Sequence, residues 1–168
     1  MKRFKEKTNW DEERGVFTTV VYYKNQPFIG RAYCDPRDED MKSRYTGYEI
    51  SSMRANLKIC KYFKNKAVNE YDALTHLSNT ISKRAKEGEF GYYLTRAITE
   101  KAIDIEDYKT AIEIISSSIK NYIDKKEKAY NIIRKNRNLN SISYESVENK
   151  IEDMINFKKI IADKNIEQ

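Results

Sequence analysis

The sequence predicts a mostly helical α+β protein, in which an N-terminal β-hairpin packs on helices and a long C-terminal antiparallel helical hairpin follows. Two short runs of β-branched and aromatic residues near the N-terminus favour the β-hairpin. Apolar residues recur at helical spacing over most of the remaining chain. We therefore expect a charged segment at 1–14, a hairpin-plus-helix module at 15–103 and a helical hairpin at 104–168, the last two packed as one unit.

The β-hairpin is predicted from residues 17–23 and 28–34, which are joined by four residues that include the turn formers Asn and Pro. Because alternate residues of a strand face opposite sides, Gly30, Ala32 and Cys34 share one face of the second strand. A face made of such small side chains lets a helix approach closely. A glycine in the interior of a strand favours the same interpretation.

Helical periodicity begins near Tyr48, after a polar loop at 35–40. The apolar stripe of this helix consists of Ile50, Met53, Leu57 and Cys60, widened by Ile59 and Phe63. A further helical pattern runs over 68–81 and stops at a segment that contains two glycines. The chain near Asn65 is either a kink or a short loop. Residues 92–103 are either a short strand or a helical turn.

The last third of the chain carries the clearest helix signals. Asp104 is predicted as an N-cap, and an apolar stripe then continues over 108–133. A polar link at 134–140 leads to Ser143, the predicted N-cap of a final helix whose apolar positions extend to Ile161. These two helices form the predicted hairpin, and coiled-coil-like packing of this hairpin would also support a homodimer.

The composition excludes several classes of protein. No run of about 18 apolar residues exists that could form a transmembrane helix, and the charged N-terminus is not a signal peptide. Cys34 and Cys60 lack metal-ligand spacing and are expected to be reduced thiols. We therefore expect a cytoplasmic protein with no membrane partner. The abundance of Lys, Ile, Asn and Tyr, which have A/T-rich codons, suggests an origin in a low-GC bacterium or one of its mobile elements.

The positive charge is concentrated near the N-terminus. The net charge is +6, and residues 1–66 hold 15 basic against 9 acidic side chains, so the whole excess lies there. A localised excess of this kind favours an anionic partner, most commonly nucleic acid. A general bias of the chain toward lysine would also produce it.

A candidate binding surface for nucleic acid or another partner combines one face of the predicted helix with the adjacent strand. Basic side chains recur at three- and four-residue spacing opposite the apolar stripe, at Arg54, Lys58, Lys61 and Lys64. Such a row can follow a phosphate backbone. Arg31 and Tyr33, which share one strand face, would add a guanidinium donor and a stacking ring. The alternative is that the row is the solvated side of an amphipathic helix.

No pattern of catalytic or metal-ligating residues stands out. His76 is the only histidine, so a paired-histidine metal site cannot form within one chain. The acidic residues at 35–40 lack the ligand order of a calcium-binding loop, and the glycines form no phosphate-binding motif. We therefore predict no enzymatic activity, no catalytic residue, no cofactor and no metal.

Residues 30–38 and 47–55 carry a further pattern. It reads G-x-A-x-C-x-P-x-D, then a short spacer, then G-x-x-I-S-x-x-R-A, and it resembles a strand–loop–helix module of small phage and prophage proteins. The resemblance covers about a quarter of the chain. It implies a phage or mobile-element origin but no particular activity.

Together these features predict a non-enzymatic phage or mobile-element accessory protein that binds a host nucleoprotein. Proteins of this kind often inhibit nucleic-acid-guided defence complexes, as anti-CRISPR proteins do. Inhibition would arise because the basic module occludes an RNA or DNA path while the helical hairpin supplies protein contacts. Two alternatives are a stand-alone DNA- or RNA-binding protein and a helical assembly protein that dimerises through residues 105–165.

Overall fold

The computed structural model describes residues 4–34 and 43–137 of the 168-residue chain. Within these residues the elements are β1 (Lys5–Asp11), β2 (Val16–Tyr23), β3 (Gln26–Tyr33), α1 (Arg44–Thr80), α2 (Lys83–Glu87) and α3 (Glu89–Asn136). The predicted α+β class, in which an N-terminal hairpin is followed by long helices, is confirmed.

The strands form an antiparallel sheet in the order β1-β2-β3. Strands β2 and β3 are the predicted hairpin, but their connection is the two-residue turn Lys24–Asn25 instead of four residues. Both turn residues have positive φ, 47° and 65°, which is the turn geometry that matches the twist of paired strands. Strand β1 is an addition to the prediction, since it lies within the charged segment 1–14.

Helix α1 packs on one face of the sheet through small residues. Ser43 caps the helix, because its side chain accepts a hydrogen bond from the amide of Thr46 at 3.2 Å. Gly30 of β3 lies so close to α1 that a Cβ atom there would overlap the backbone of Ser51 and Ala55. The close approach predicted for the small-residue face of the strand is therefore confirmed.

A buried pair of hydroxyl groups joins the sheet to the helix at the same contact. Oγ1 of Thr19 and Oγ of Ser51 are 2.6 Å apart, and both side chains are fully buried. Ser51 Oγ also donates to the carbonyl oxygen of Tyr48 at 3.1 Å, so Thr19 donates in the hydroxyl pair. Because both hydroxyls are hydrogen-bonded, these bonds offset the free-energy cost of removing the two groups from water.

The hydrophobic core beneath the sheet joins the sheet to two helices. It consists of Phe17, Ala32, Ile50 and Ile123, with Trp10, Ile119, Tyr122 and Tyr130 packed against it. The inner face of the sheet, the start of α1 and the second half of α3 therefore meet there. Ile119 belongs to the apolar stripe of the predicted C-terminal hairpin, and it contacts this intramolecular core.

Helix α1 is longer than its periodicity indicates. It begins at Arg44 instead of near Tyr48, because Ser43 supplies a cap that precedes the apolar stripe. It continues as helix through Asn65, where the sequence allows a kink or a loop.

Helix α3 likewise begins at Glu89, so residues 92–103 are helical and the prediction of a helix start at Asp104 is wrong. Asp104 accepts a hydrogen bond from Lys101 at 2.9 Å, and an acidic residue with such a partner is accommodated inside a helix as well as at its start. The helix ends at Asn136, within the predicted polar link 134–140. The final helix predicted after Ser143 lies outside the described residues.

The chain divides into two compact units. The sheet unit contains the described residues 4–34, 43–55 and 118–137, and the helical unit contains residues 56–117. Helices α1 and α3 contribute residues to both units.

Within the helical unit, α1 and α3 run antiparallel. Phe63 stacks on Tyr108 with 5.9 Å between the ring centroids, and Glu70 lies 3.0 Å from Lys101. A residue later in α1 therefore contacts a residue earlier in α3. Ile59, Ala67 and Leu94 are the buried apolar side chains of this unit.

Candidate functional site

The face of the sheet opposite α1 carries basic, aromatic and aliphatic side chains. By the strand register, this face contains Lys5, Lys7, Thr18, Val20, Tyr22, Ile29 and Arg31, and we call this set the basic sheet face. Val20 and Ile29 are paired neighbours at its centre. The cations lie on the two outer strands, which are separated by two strand spacings of about 4.8 Å each.

The positive charge of the basic sheet face has no internal counterion within the described residues. Lys5, Lys7 and the guanidinium of Arg31 form no ion pair there, and Lys7 Nζ lies 5.9 Å from the centroid of the Tyr22 ring. The carboxylate of Asp11, on the same face, already pairs with Arg14 at 3.6 Å. An anionic ligand would therefore meet three cations and a ring without displacing an ion pair between described residues.

Arg54 has a structural role at the edge of the sheet. The amide of Cys34 donates to the carbonyl of Gly15 at 2.9 Å, so the alternation of antiparallel pairs leaves the backbone groups of Arg31 pointing away from β2. Arg54 Nη1 donates to the Arg31 carbonyl oxygen at 2.7 Å. Arg54 thus covers part of an open strand edge, where another strand would otherwise pair.

The other predicted site residues have different surroundings. The ring of Tyr33 is buried, with 7% exposure, so its predicted role as a stacking surface is corrected, and Tyr22 is the half-buried ring of this face. Lys58 and Lys61 are exposed on α1, and Lys64 is half-buried, all within the helical unit.

The sequence pattern does not reveal Lys5 and Lys7 as partners of Arg31. Their strand, KEKTNWD, is rich in residue types that are uncommon in strands. The available signal is an alternation in which Trp10 faces the core and the lysines face the opposite side, and a single apolar position is too weak to predict a strand.

The sheet unit also contains a partly open cavity of about 40 Å³. Its lining includes Trp10, Cys34, Thr46, Ile123 and Lys126. Oγ1 of Thr46 is buried there without a hydrogen-bond partner among the described residues. A cavity of this size holds about three water molecules and is too small for a drug-sized ligand. We therefore attribute no binding function to it.

Metal-ligating and thiol groups form no second site in the part of the chain that the structure describes. Across residues 4–34 and 43–137, no group of three or more His, Cys, Asp and Glu side chains is placed to hold a metal ion. His76 is exposed on α1. Burial raises the pKa of the Cys60 thiol, which keeps it protonated and poorly nucleophilic. The acidic loop at 35–40 lies outside the described residues.

None of the helices in the described part of the chain has both the length and the apolar character that crossing a membrane requires. Comparison with models of protein families, with curated proteins and with solved structures finds no match to this chain. Its function is therefore inferred from its own surfaces.

Proposed function

We propose that this chain is a non-enzymatic accessory protein of a phage or mobile element that binds a host nucleoprotein and inhibits a nucleic-acid-guided defence complex, in the manner of anti-CRISPR proteins. The observation that carries the proposal is the basic sheet face, where Lys5, Lys7 and Arg31 lie on one surface without internal counterions among the described residues. The resemblance of residues 30–55 to a module of phage proteins supports the origin.

The composition of this face favours a partner that is part nucleic acid and part protein. The three cations suit phosphate oxygens, since each neutralised phosphate releases counterions. Val20 and Ile29, at the centre of the face, add an apolar contact that a phosphate backbone does not use but a protein surface does. Inhibition follows from occlusion, because a chain seated on both components blocks the nucleic-acid path.

The proposal is tested by affinity capture of the tagged chain from a low-GC bacterial lysate, with and without nuclease, followed by mass spectrometry. The triple variant Lys5→Glu, Lys7→Glu, Arg31→Glu reverses the charge of the basic sheet face. The matched control is Lys120→Glu, Lys125→Glu, Lys128→Glu, which makes the same charge change at exposed positions of α3 in the sheet unit.

We expect the unchanged chain and the control to retain one host nucleoprotein after nuclease treatment, and the sheet variant to lose it. The purified complex should then cleave or bind its target more slowly when the chain is added. Recovery of nucleic acid alone, lost after nuclease, would contradict the proposal and favour the stand-alone nucleic-acid-binding protein. Capture that is equal for both triple variants would show that the basic sheet face is not the contact.

A further inference from the structure

The helical unit carries a second exposed surface where α2 meets the start of α3. Phe90, Tyr92 and Tyr93 are 53%, 65% and 56% exposed. The rings of Tyr92 and Tyr93 lie 5.5 Å apart at an angle of 73°. We call these three residues, together with Arg84 and Lys86 of α2, the aromatic tip. Clustered exposed rings of this kind mark contact surfaces more often than single exposed apolar residues do.

The outward direction of the rings follows from the packing of α2 on α3. Gly91 is buried, and a Cβ atom there would overlap the carbonyl group of Lys86. Leu94, three residues further on, is also buried. Since Gly91 and Leu94 define the inward side of the first turns of α3, the helical period directs Tyr92 and Tyr93 toward solvent. Phe90 lies four residues before Leu94, at the border of the buried side, and is the least exposed of the three rings.

Two cations of α2, which precedes these rings along the chain, have no ion-pair partner among the described residues. Arg84 and Lys86 form no ion pair with the described residues, whereas Lys83 lies 3.8 Å from Glu87. The contact between Gly91 and the backbone of Lys86 holds α2 directly against the first turn of α3. The surface therefore combines three rings with two positive charges and the single exposed carboxylate of Glu89, so its net charge is positive.

We propose that the aromatic tip binds single-stranded nucleic acid, with bases stacked on the three rings and phosphates contacted by Arg84 and Lys86. Every base has a face that can stack on an exposed ring, and the adjacent cations complement the phosphate charge. A duplex cannot use the rings in this way because its bases are already stacked on one another. The surface lies wholly within the helical unit and shares no residue with the basic sheet face.

The test is fluorescence anisotropy of the full-length chain with labelled oligo(dT), oligo(U) and a duplex of equal length, at about 50 mM salt, where phosphate contacts are strong. Tyr92→Ala with Tyr93→Ala is expected to weaken single-strand binding by about 5- to 150-fold per ring. Tyr92→Phe with Tyr93→Phe keeps both stacking faces, so its affinity should stay within about twofold of the unchanged chain. Circular dichroism establishes that each variant is folded.

Two further variants separate the charges from the rings. Arg84→Gln with Lys86→Gln should reduce the slope of log affinity against log salt by about 1.4. Tyr45→Ala removes an equally exposed tyrosine from the sheet unit and should leave the affinity unchanged.

The proposal is overturned by the absence of single-strand binding, by a preference for duplex, or by equal affinity of the alanine double variant and the unchanged chain. An alanine double variant that retains oligonucleotide affinity but no longer captures the host nucleoprotein would make the aromatic tip a protein contact. That outcome would overturn this inference while leaving the proposed function intact. Conversely, ring-dependent oligonucleotide binding without capture of a nucleoprotein supports this inference and contradicts the proposed function.

Discussion

Gly30 is the residue that sets the distance between the sheet and α1. A side chain there would meet the backbone of Ser51 and Ala55, and backbone atoms cannot rotate aside as the end of a side chain can. The hydroxyl pair of Thr19 and Ser51 lies in the same contact. A displacement of α1 would therefore also separate a buried hydrogen bond.

We expect Gly30→Ala to lower the free energy of unfolding by about 2–3 kcal/mol, the upper part of the range for overpacked cores. Gly88→Ala is the matched control, because the nearest atom to its added Cβ is 3.7 Å away and its φ is −90°. Its effect should stay below about 1 kcal/mol. Urea unfolding followed by circular dichroism measures both variants, and equal stabilities would argue against the close contact at Gly30.

At the scale of the elements, Lys101 connects the two long helices of the helical unit. Its ammonium lies 2.9 Å from Asp104 on α3 and 3.0 Å from Glu70 on α1. Hydrogen bonds to Asp104 and Glu70 raise the pKa of Lys101, and the hydrogen bond from Lys101 lowers the pKa of Glu70. These side chains are partly exposed, so solvent screening limits the stabilisation.

Lys101→Met should lower the free energy of unfolding by about 0.5–1 kcal/mol at neutral pH. The pKa of Glu70 in the folded chain lies below its ordinary value of 4.5. The stabilisation from ionised Glu70 is therefore complete above pH 4.5 and is lost as the pH falls through the lowered pKa of the folded chain. The raised pKa of Lys101 keeps its own contribution present throughout this range. The difference between variant and unchanged chain should therefore shrink as Glu70 becomes protonated.

Urea unfolding at neutral and acidic pH measures this difference. Lys109→Met is a suitable control, because among the described residues Lys109 pairs only along its own helix, with Glu106 at 3.0 Å. Its effect should be the smaller of the two. A stability difference for Lys101→Met that persisted unchanged into strong acid would count against a role for the ion pair with Glu70.

At the scale of the whole chain, folding collects charges that are dispersed along the sequence. The net charge is +6, and Lys5, Lys7 and Arg31 come together on one sheet face only because β1 pairs with β2. Such a cluster produces a local positive potential that a random arrangement of the same charges would not.

The triple variant Lys5→Gln, Lys7→Gln, Arg31→Gln should therefore reduce the salt dependence of binding to a duplex oligonucleotide, which cannot stack on the aromatic tip, by up to about 2.7 in the slope of log affinity against log salt. The control Lys120→Gln, Lys125→Gln, Lys128→Gln has the same net charge and should change the slope less. Anisotropy titrations at several salt concentrations measure both slopes. Equal changes would mean that total charge, and not its placement on the sheet, governs binding.

Local sequence signals account for a large part of the fold. The hairpin of β2 and β3 follows from two β-branched runs around a turn, and the small face at Gly30 correctly indicates a closely packed helix. Local sequence signals predict helix boundaries less well. Asp104 has the residue type of an N-cap, but α3 begins at Glu89, because a local signal for a helix start competes with the hydrogen bonding of the whole helix.

The sequence by itself determined the α+β class and the basic character of the N-terminal region, since both depend on residue types and their short-range periodicity. Only the tertiary structure decided which cations share a surface. Strand β1 forms because β2 offers it hydrogen bonds, and Arg54 turns to the carbonyl of Arg31, which lies 23 residues away along the chain. Contacts between residues distant in sequence produce no periodic pattern in the sequence. For that reason the basic sheet face can be identified only in the folded chain.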